Sequence, residues 1–430
     1  MQAEGQPRSD AGSTAHPGTH AAAIADHAPP HTEPAAAASL LPAIVAGFLA
    51  VLVSFSGPLA IFYQAAEAGQ VSATMFASWV WGISIGAGVA GIYLSWRLKA
   101  PVITAWSAPG TALLITLFPG LSVNEAVGAY LVAATILLAI GMSGWMERVS
   151  GWVPPGVASG MMAGILVPFG MNAFKGVATM PLLVLGMIGA YLVFKRSSPR
   201  YCVALLLASG TLIAWLSGAT RFTGLDLQFV VPVFIEPAWS WSAIFSLALP
   251  LVLVTLTGQY LPGMTVLKQS GYDTPVRPVI VTSSLASLAV AFTGGITIAI
   301  AAITAAMCTG REAHEDPRRR YVAGLANGAF YLLAGLFGGS IVMLFAALPK
   351  ELVAALAGLA LLGPILANLG AMLAAQDHRE ASLITFVATA SGMSFLGLGA
   401  AFWGVVIGIA ACRILHGPAA GRAADKQAKT

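Results

Sequence analysis

Charge constrains this chain most, through where it is missing. Charged residues gather at short punctuation points, and between them run twelve charge-free stretches, from Glu33–Glu67 to Glu380–Arg413. Each is long enough, at about 20 residues, to cross a 30 Å hydrocarbon core as a helix. Only 9% of the 430 residues are charged and 57% are hydrophobic, which no water-soluble domain of this size tolerates. The chain therefore reads as an all-α polytopic membrane protein. A net charge of +4 is too small an excess to point to nucleic acid.

The placement of Lys and Arg sets the number of crossings. If Arg277–Arg311 crossed once, the basic loops at Lys268/Arg277 and Arg311–Arg320 would lie on opposite faces. Two crossings put both on the cytoplasmic side, as the positive-inside rule demands. Gly294-Gly295 supplies the break, and the same logic divides Glu380–Arg413 around Gly392–Gly399. About 14 crossings result, with both termini cytoplasmic in an inner membrane. Only Lys175, Arg221 and Lys350, of 21 basic residues, then fall outside.

Two of these crossings cannot be continuous helices. Val102–Trp106 is β-branched and aromatic, Ser107 or Ala108 stands where an N-cap stands, and Pro109 falls in a first helical turn. A short strand feeding a half-helix from about Gly110 is predicted. The 33 residues between Arg277 and Arg311 cannot hold two full helices and a turn. An extended segment crosses half the core in about five residues. Thr297–Ala299 is the predicted second strand, with a half-helix over about Ile300–Cys308. These are the third and tenth crossings. Seven apart is an odd number, so two repeats of seven crossings would be inverted, and both half-helix N-termini would meet near the midplane. Free N–H groups and the positive dipole end there make an anion site without a charged side chain.

The organisation follows. Residues 1–37 form a disordered cytoplasmic tail whose His16, His20, His27 and His31 read as solvated low complexity rather than a metal site. Residues 38–218 are the first seven-segment repeat, 219–242 an external linker, 243–416 the second repeat and 417–430 a cytoplasmic tail. Cys202, Cys308 and Cys412 fit no disulfide or metal spacing and read as buried thiols. No cofactor is expected.

No Asp, Glu, Lys, Arg or His lies within the spans, apart from edge positions such as Glu67 and Lys175. A coupled proton would have to use an edge residue, water or the substrate's own acid group. Ser54 and Ser56 lie beside Gly57-Pro58, a predicted helix break, and Thr255–Gly263 is predicted to be a distorted helix facing a cavity. Gln259 and Tyr260 can donate to an oxyanion, and Tyr260 or Trp106 can stack on a ring. The alternative is weighed residue by residue. Ser54 and Thr304 fit bonding to their own helix better, although Ser54 stays a candidate. Gln259 and Ser107 fit a ligand role better. Asn327 and Asn368 read as helix–helix bridges, and the loop Arg311–Arg320 as solvated, with Arg311 placed to cap the tenth half-helix.

At Thr104–Leu114, Gly258–Gly263, Ala301–Gly310 with Glu312-Ala-His314, and Ala400–Gly404, the chain resembles the benzoate/proton symporter (BenE) family. The resemblance runs from about Leu40 to Leu415. The family pattern commonly has Asn where Tyr260 stands, and some members carry a polar residue at Ala299. The resemblance implies kinship with uracil and sulfate permeases, with a core domain of crossings 1–4 and 8–11 and a gate domain of 5–7 and 12–14. It implies import of benzoate or a similar aromatic monocarboxylate with a proton, and a homodimer. The residues expected at the substrate are Ser54, Trp106, Ser107, Ala108, Gly110, Thr111, Gln259, Tyr260, Ala299, Ile300, Ala301 and Ala302. Rival readings are a carrier for a nucleobase or another small anion, an anion channel on the same fold, and, least supported, a membrane enzyme.

Overall fold

The computed structural model describes residues 39–415 except 119, 147, 149–151, 200, 221–226 and 375. The two tails, and residues 221–226 of the 219–242 segment, lie outside the described residues. The described chain is helical with one two-stranded ribbon. Its helices are α1 (Leu41–Ser56), α2 (Pro58–Ala68), α3 (Ala73–Leu98), α4 (Ala108–Leu117), α5 (Val123–Ser143), α6 (Pro155–Lys175), α7 (Pro181–Ser197) and α8 (Cys202–Leu216). There follow α9 (Trp241–Gln269), α10 (Val276–Ala291), α11 (Ala302–Thr309), α12 (Tyr321–Leu336), α13 (Gly338–Ala346), α14 (Lys350–Ala374), α15 (Arg379–Ala390) and α16 (Ala400–Leu415). Strand β1 (Thr104–Trp106) precedes α4 and β2 (Ile298–Ile300) precedes α11.

Six spans among the described residues are long and apolar enough to cross a bilayer, one of them α1 and α2 together. A seventh arises if α12 and α13, bent by 70° at Phe337, count as one. The break predicted at Gly57-Pro58 falls between α1 and α2. Local chemistry sets many of the ends. Ser122 and Glu125 form a capping box on α5, and Ser72 caps α3 by accepting from the Met75 N–H. Prolines open α6 and α7, where a missing N–H costs nothing.

Small residues let the helices approach. A Cβ on Gly328 of α12 would sit 2.7 Å from the Gly88 carbonyl of α3, and one on Gly88 2.8 Å from that of Gly328. Gly164 of α6 would meet Thr389 and the Phe386 carbonyl of α15 at 2.6 and 2.8 Å. Such contacts replace hydrophobic attraction as the packing force where lipid is as apolar as the helix. Helices α12, α3, α10 and α5 pack in a row beside the ribbon, while α6 packs on α14, α15 and α16, and α7 on α8.

Three expectations change at the loops and helix faces. Arg320, not Arg311, closes α11: its guanidinium donates to the carbonyls of Thr309 (2.7 Å), His314 (2.7 Å) and Glu315 (3.3 Å). His314 is consequently buried rather than solvated, and its Nδ1 accepts from the Asp316 N–H. Asn327 does bridge helices, donating to the Gly47 carbonyl of α1. Asn368 instead bonds Pro364 in its own helix. The three cysteines are buried and in no disulfide among the described residues.

Candidate functional site

The site is built on the ribbon. Strands β1 and β2 pair antiparallel with Thr104 opposite Ile300, Ala105 opposite Ala299 and Trp106 opposite Ile298. The ladder runs one rung further at each end, Ser107 N–H to Thr297 carbonyl and Ala301 N–H to Ile103 carbonyl, both 2.9 Å. The second strand and half-helix thus begin one or two residues later than the apolar pattern predicts. Ser287 of α10 accounts for the shift, because its hydroxyl accepts the Ile298 N–H at 2.8 Å and holds the strand in register. Gly294 makes the entry turn with φ +82°, and a Cβ there would collide with the Trp79 indole.

This register staggers the two half-helix N-termini. Ser107 lies opposite Thr297, four residues from Ala301, so the two N-caps stand about 13 Å apart along the ribbon. They do not meet at a point, and a single carboxylate cannot span them. Each instead aims its positive end along the ribbon from one side.

The two ends are also unequal. At α4 the Ser107 hydroxyl already accepts the Gly110 N–H at 3.1 Å, and Pro109 has none to offer. Among the first-turn donors only Ala108 N–H remains. At α11 the N-cap is Ala301, which has no side chain to cap with, so the N–H groups of Ala302, Ile303 and Thr304 carry no cap. Ala301 and Ala302 are half-buried and Ile303 is 67% exposed. The uncapped end is therefore that of α11.

Helix α9 runs alongside both ends. Leu251 fills the space above Gly110 of α4, and Gly263 lets α9 lie on the Ile300 side chain of β2. Along its length Ile244–Ala248 and Leu256–Tyr260 widen into π-helix. The cause is in the sequence: Pro250 and Pro262 lack an N–H and push away the carbonyls four residues back, Ser246 and Gly258, inside the two widened segments. Gln259 sits in the second, one turn from Gly263, and its Oε1 is buried with no partner. That is the condition of a group that awaits a ligand or water.

Other expected residues are arranged differently. The Ser54 hydroxyl donates to Ala50 of its own helix at 3.1 Å, and Thr111 to Ser107 at 2.9 Å. Trp106 is 2% exposed and packs edge-on against Phe55 (5.6 Å) and Tyr331 (6.2 Å). Tyr260 is fully buried, its phenol turned to Ser283 and Ser284 of α10. The two rings expected to line one pocket therefore face different helices. Ala299 is enclosed in β2.

Two cavities flank this centre along α6. One, of about 300 Å³, is lined by Leu113 and Thr116 of α4, Ser246 of α9, Ile165 of α6, and Thr389 and Gly399 of the α15–α16 region. The other, of about 120 Å³, is lined by Ser159 and Met162 of α6, Thr257 and Gly258 of α9, and Asn368 of α14. Met162 stands between them; a Cβ on Gly258 would lie 2.8 Å from its Cε. Sequence reasoning missed Met162. The signal was present, since Gly160 and Gly164 pack against α15 and leave the residue midway pointing to α9.

Helices broken at an uncharged ribbon, with an uncapped half-helix N-terminus and two cavities along α6, are the build of a secondary transporter that carries a small anion through the bilayer. Residues 37–414 match the family described as benzoate membrane transport protein (BenE), and the chain belongs to that family. It is 55% identical to the "Benzoate membrane transport protein" of Acinetobacter baylyi, over 88% of this chain and 96% of that one. It is 39% identical to the "Inner membrane protein YdcO" of Escherichia coli, over 85% and 94%. The fold resembles SLC26A9 (TM-score 0.61, 13% identity, 86% of this chain and 64% of that one). It also resembles the transmembrane domain of a cyanobacterial bicarbonate transporter, BicA (TM-score 0.55, 14% identity, 87% and 97%). The protein is thus a multi-pass inner-membrane transporter and not an enzyme.

Proposed function

We propose that this transporter imports benzoate or a similar aromatic monocarboxylate together with a proton. The uncapped N-terminus of α11, with Gln259 one turn from the contact of Gly263 with Ile300, carries the reading. The carboxylate docks on the N–H groups of Ala302 to Thr304, next to Ala299, Ile300 and Ala301. Gln259 donates to it. The ring extends along the ribbon toward Ala108 and Gly110, and Met162 closes over it. Ser107 and Thr111 shape the α4 end; Trp106, Tyr260 and Ser54 stiffen the site from behind. The substrate class is supported by the name of the relative at 55% identity, a benzoate membrane transport protein.

The chain crosses the membrane 14 times as two inverted repeats, 38–218 and 243–416, with the basic loops and both termini cytoplasmic. The ribbon's antiparallel pairing of two strand–half-helix units supports that inversion. Crossings 1–4 and 8–11 form a core that moves against a gate of 5–7 and 12–14, in a homodimer. The proton travels on the substrate acid, through water or on an edge residue such as Glu67.

Uptake of labelled benzoate into proteoliposomes, with and without an inward proton gradient, tests the reading. Gradient-driven accumulation that unlabelled benzoate competes away is the expected result. Equal flux without a gradient indicates a channel. Competition by bicarbonate or uracil but not benzoate moves the substrate to the rival classes.

A further inference from the structure

Residues 227–240 have no helix or strand, yet they are tightly held. Their N–H groups donate in turn to the ends of α13, α12, α3, α10 and α5. The contacts are Gln228 to Ser340 Oγ (3.0 Å), Val230 to Leu336 O (3.1 Å) and Val233 to Ser78 Oγ (2.8 Å). Ile235 to Phe292 O (2.7 Å) and Ala238 to Asn124 O (2.9 Å) complete the series. The segment is a strap laid across the ends of the helix row. Its outward edge is mostly apolar: Leu227, Phe229, Val231, Phe234 and Trp239, with Trp241 following, are each 66–80% exposed, and Gln228 and Glu236 are the exposed polar side chains.

We propose that the strap is an interfacial membrane anchor, its apolar edge immersed at the headgroup–acyl boundary of the leaflet opposite the basic loops. The depth fits. Ser78, which holds the strap, is 18 residues before Trp96 on α3 (96 − 78), about 27 Å along the helix and close to one hydrocarbon thickness. Tyr93 and Trp96 are 47% and 58% exposed at that far end. Aromatic side chains thus mark both interfaces, as they do on membrane proteins generally. Between the two levels the same row exposes Val89, Leu285 and Leu333, so the strap's edge continues a lipid-facing surface. Five of its N–H groups are bonded inward, which fixes the strap's apolar side chains on its outer edge. The proposal rests on the membrane-spanning reading and is independent of the substrate.

Val231→Cys and Phe234→Cys, each spin-labelled in the full chain reconstituted in phosphatidylcholine–phosphatidylglycerol vesicles, test it. Cys202, Cys308 and Cys412 are buried and leave the new thiols as the reactive ones. Both labels should show an oxygen-to-nickel-chelate accessibility ratio at least about fivefold above a label at Asp273→Cys, an exposed polar-loop position. A ratio equal to that of the Asp273 label places the strap in water and overturns the proposal. So does dipolar broadening between labels with both relaxants excluded, which would seat a second copy there. Retained benzoate uptake by the labelled proteins shows that they are folded; if unlabelled protein transports no benzoate, circular dichroism of the labelled chains serves instead.

Discussion

Ser107 and Ala301 head the two half-helices and differ by one hydroxyl, and that difference decides which end is free to bind. Ser107 spends its oxygen on Gly110, while Ala301 leaves the α11 donors uncapped. Ala302→Pro isolates the effect. Proline is tolerated at a first helical position, and Ala301 already has the extended backbone a following proline needs, at φ −106° and ψ 99°. Only one N–H is removed, so thermal stability should stay within a degree or two. The half-saturating substrate concentration should rise about 10-fold or more. Unchanged transport would move the carboxylate elsewhere. Gln259→Leu should separate ligand from scaffold in the same way. It deletes a buried amide whose oxygen has no partner, so melting temperature should hold or rise while uptake falls at least about 10-fold. A fall in both would make Gln259 structural.

At the scale of elements, packing and capping carry the stability. Gly328→Val should overpack the α3–α12 contact and cost about 1–3 kcal/mol, read as a lower detergent melting temperature. Arg320→Gln strips charge-assisted bonds from the Thr309 carbonyl at the end of α11 and from those of His314 and Glu315 in the loop after it. A loss of about 2 kcal/mol or more is expected, with Arg311→Gln close to neutral. Equal effects of the two substitutions would restore Arg311 as the cap. The distortion of α9 could be read from Pro250 and Pro262 together with the flanking glycines. The identity of the capping arginine could not, because Arg311 and Arg320 both lie within reach in sequence and only the fold of the loop chooses.

For the whole molecule, the seam along α6 governs access. Ser246 accepts the Gly399 N–H at 3.0 Å, and the Ser242 hydroxyl bonds the Gly397 carbonyl, so two serines of α9 pin the turn between α15 and α16 beside the larger cavity. Removing both hydroxyls, Ser242→Ala with Ser246→Ala, should loosen that end. The modification rate of Leu113→Cys, 2% exposed at the cavity wall, by a membrane-impermeant thiol reagent should rise several-fold. An unchanged rate would mean that the turn is held by other contacts, such as the Trp403 indole on Phe395.

The sequence alone determined that the chain lives in a bilayer, because charge-free stretches of spanning length admit no other solvent. It also determined where the two helices must break. Thirty-three residues could not make two spans, and Trp106-Ser-Ala-Pro-Gly could not make one helix. Family membership was carried by the same residues. The tertiary structure decided what those breaks do together. Strand register is a long-range property, set here by Ser287 on another helix. It staggers the half-helix ends by four residues, while packing sets Trp106 against Phe55 and Tyr331 and Tyr260 against α10. Local residue types can say that a strand and an N-terminus exist; only pairing and packing across the molecule say which donors remain free and what they face.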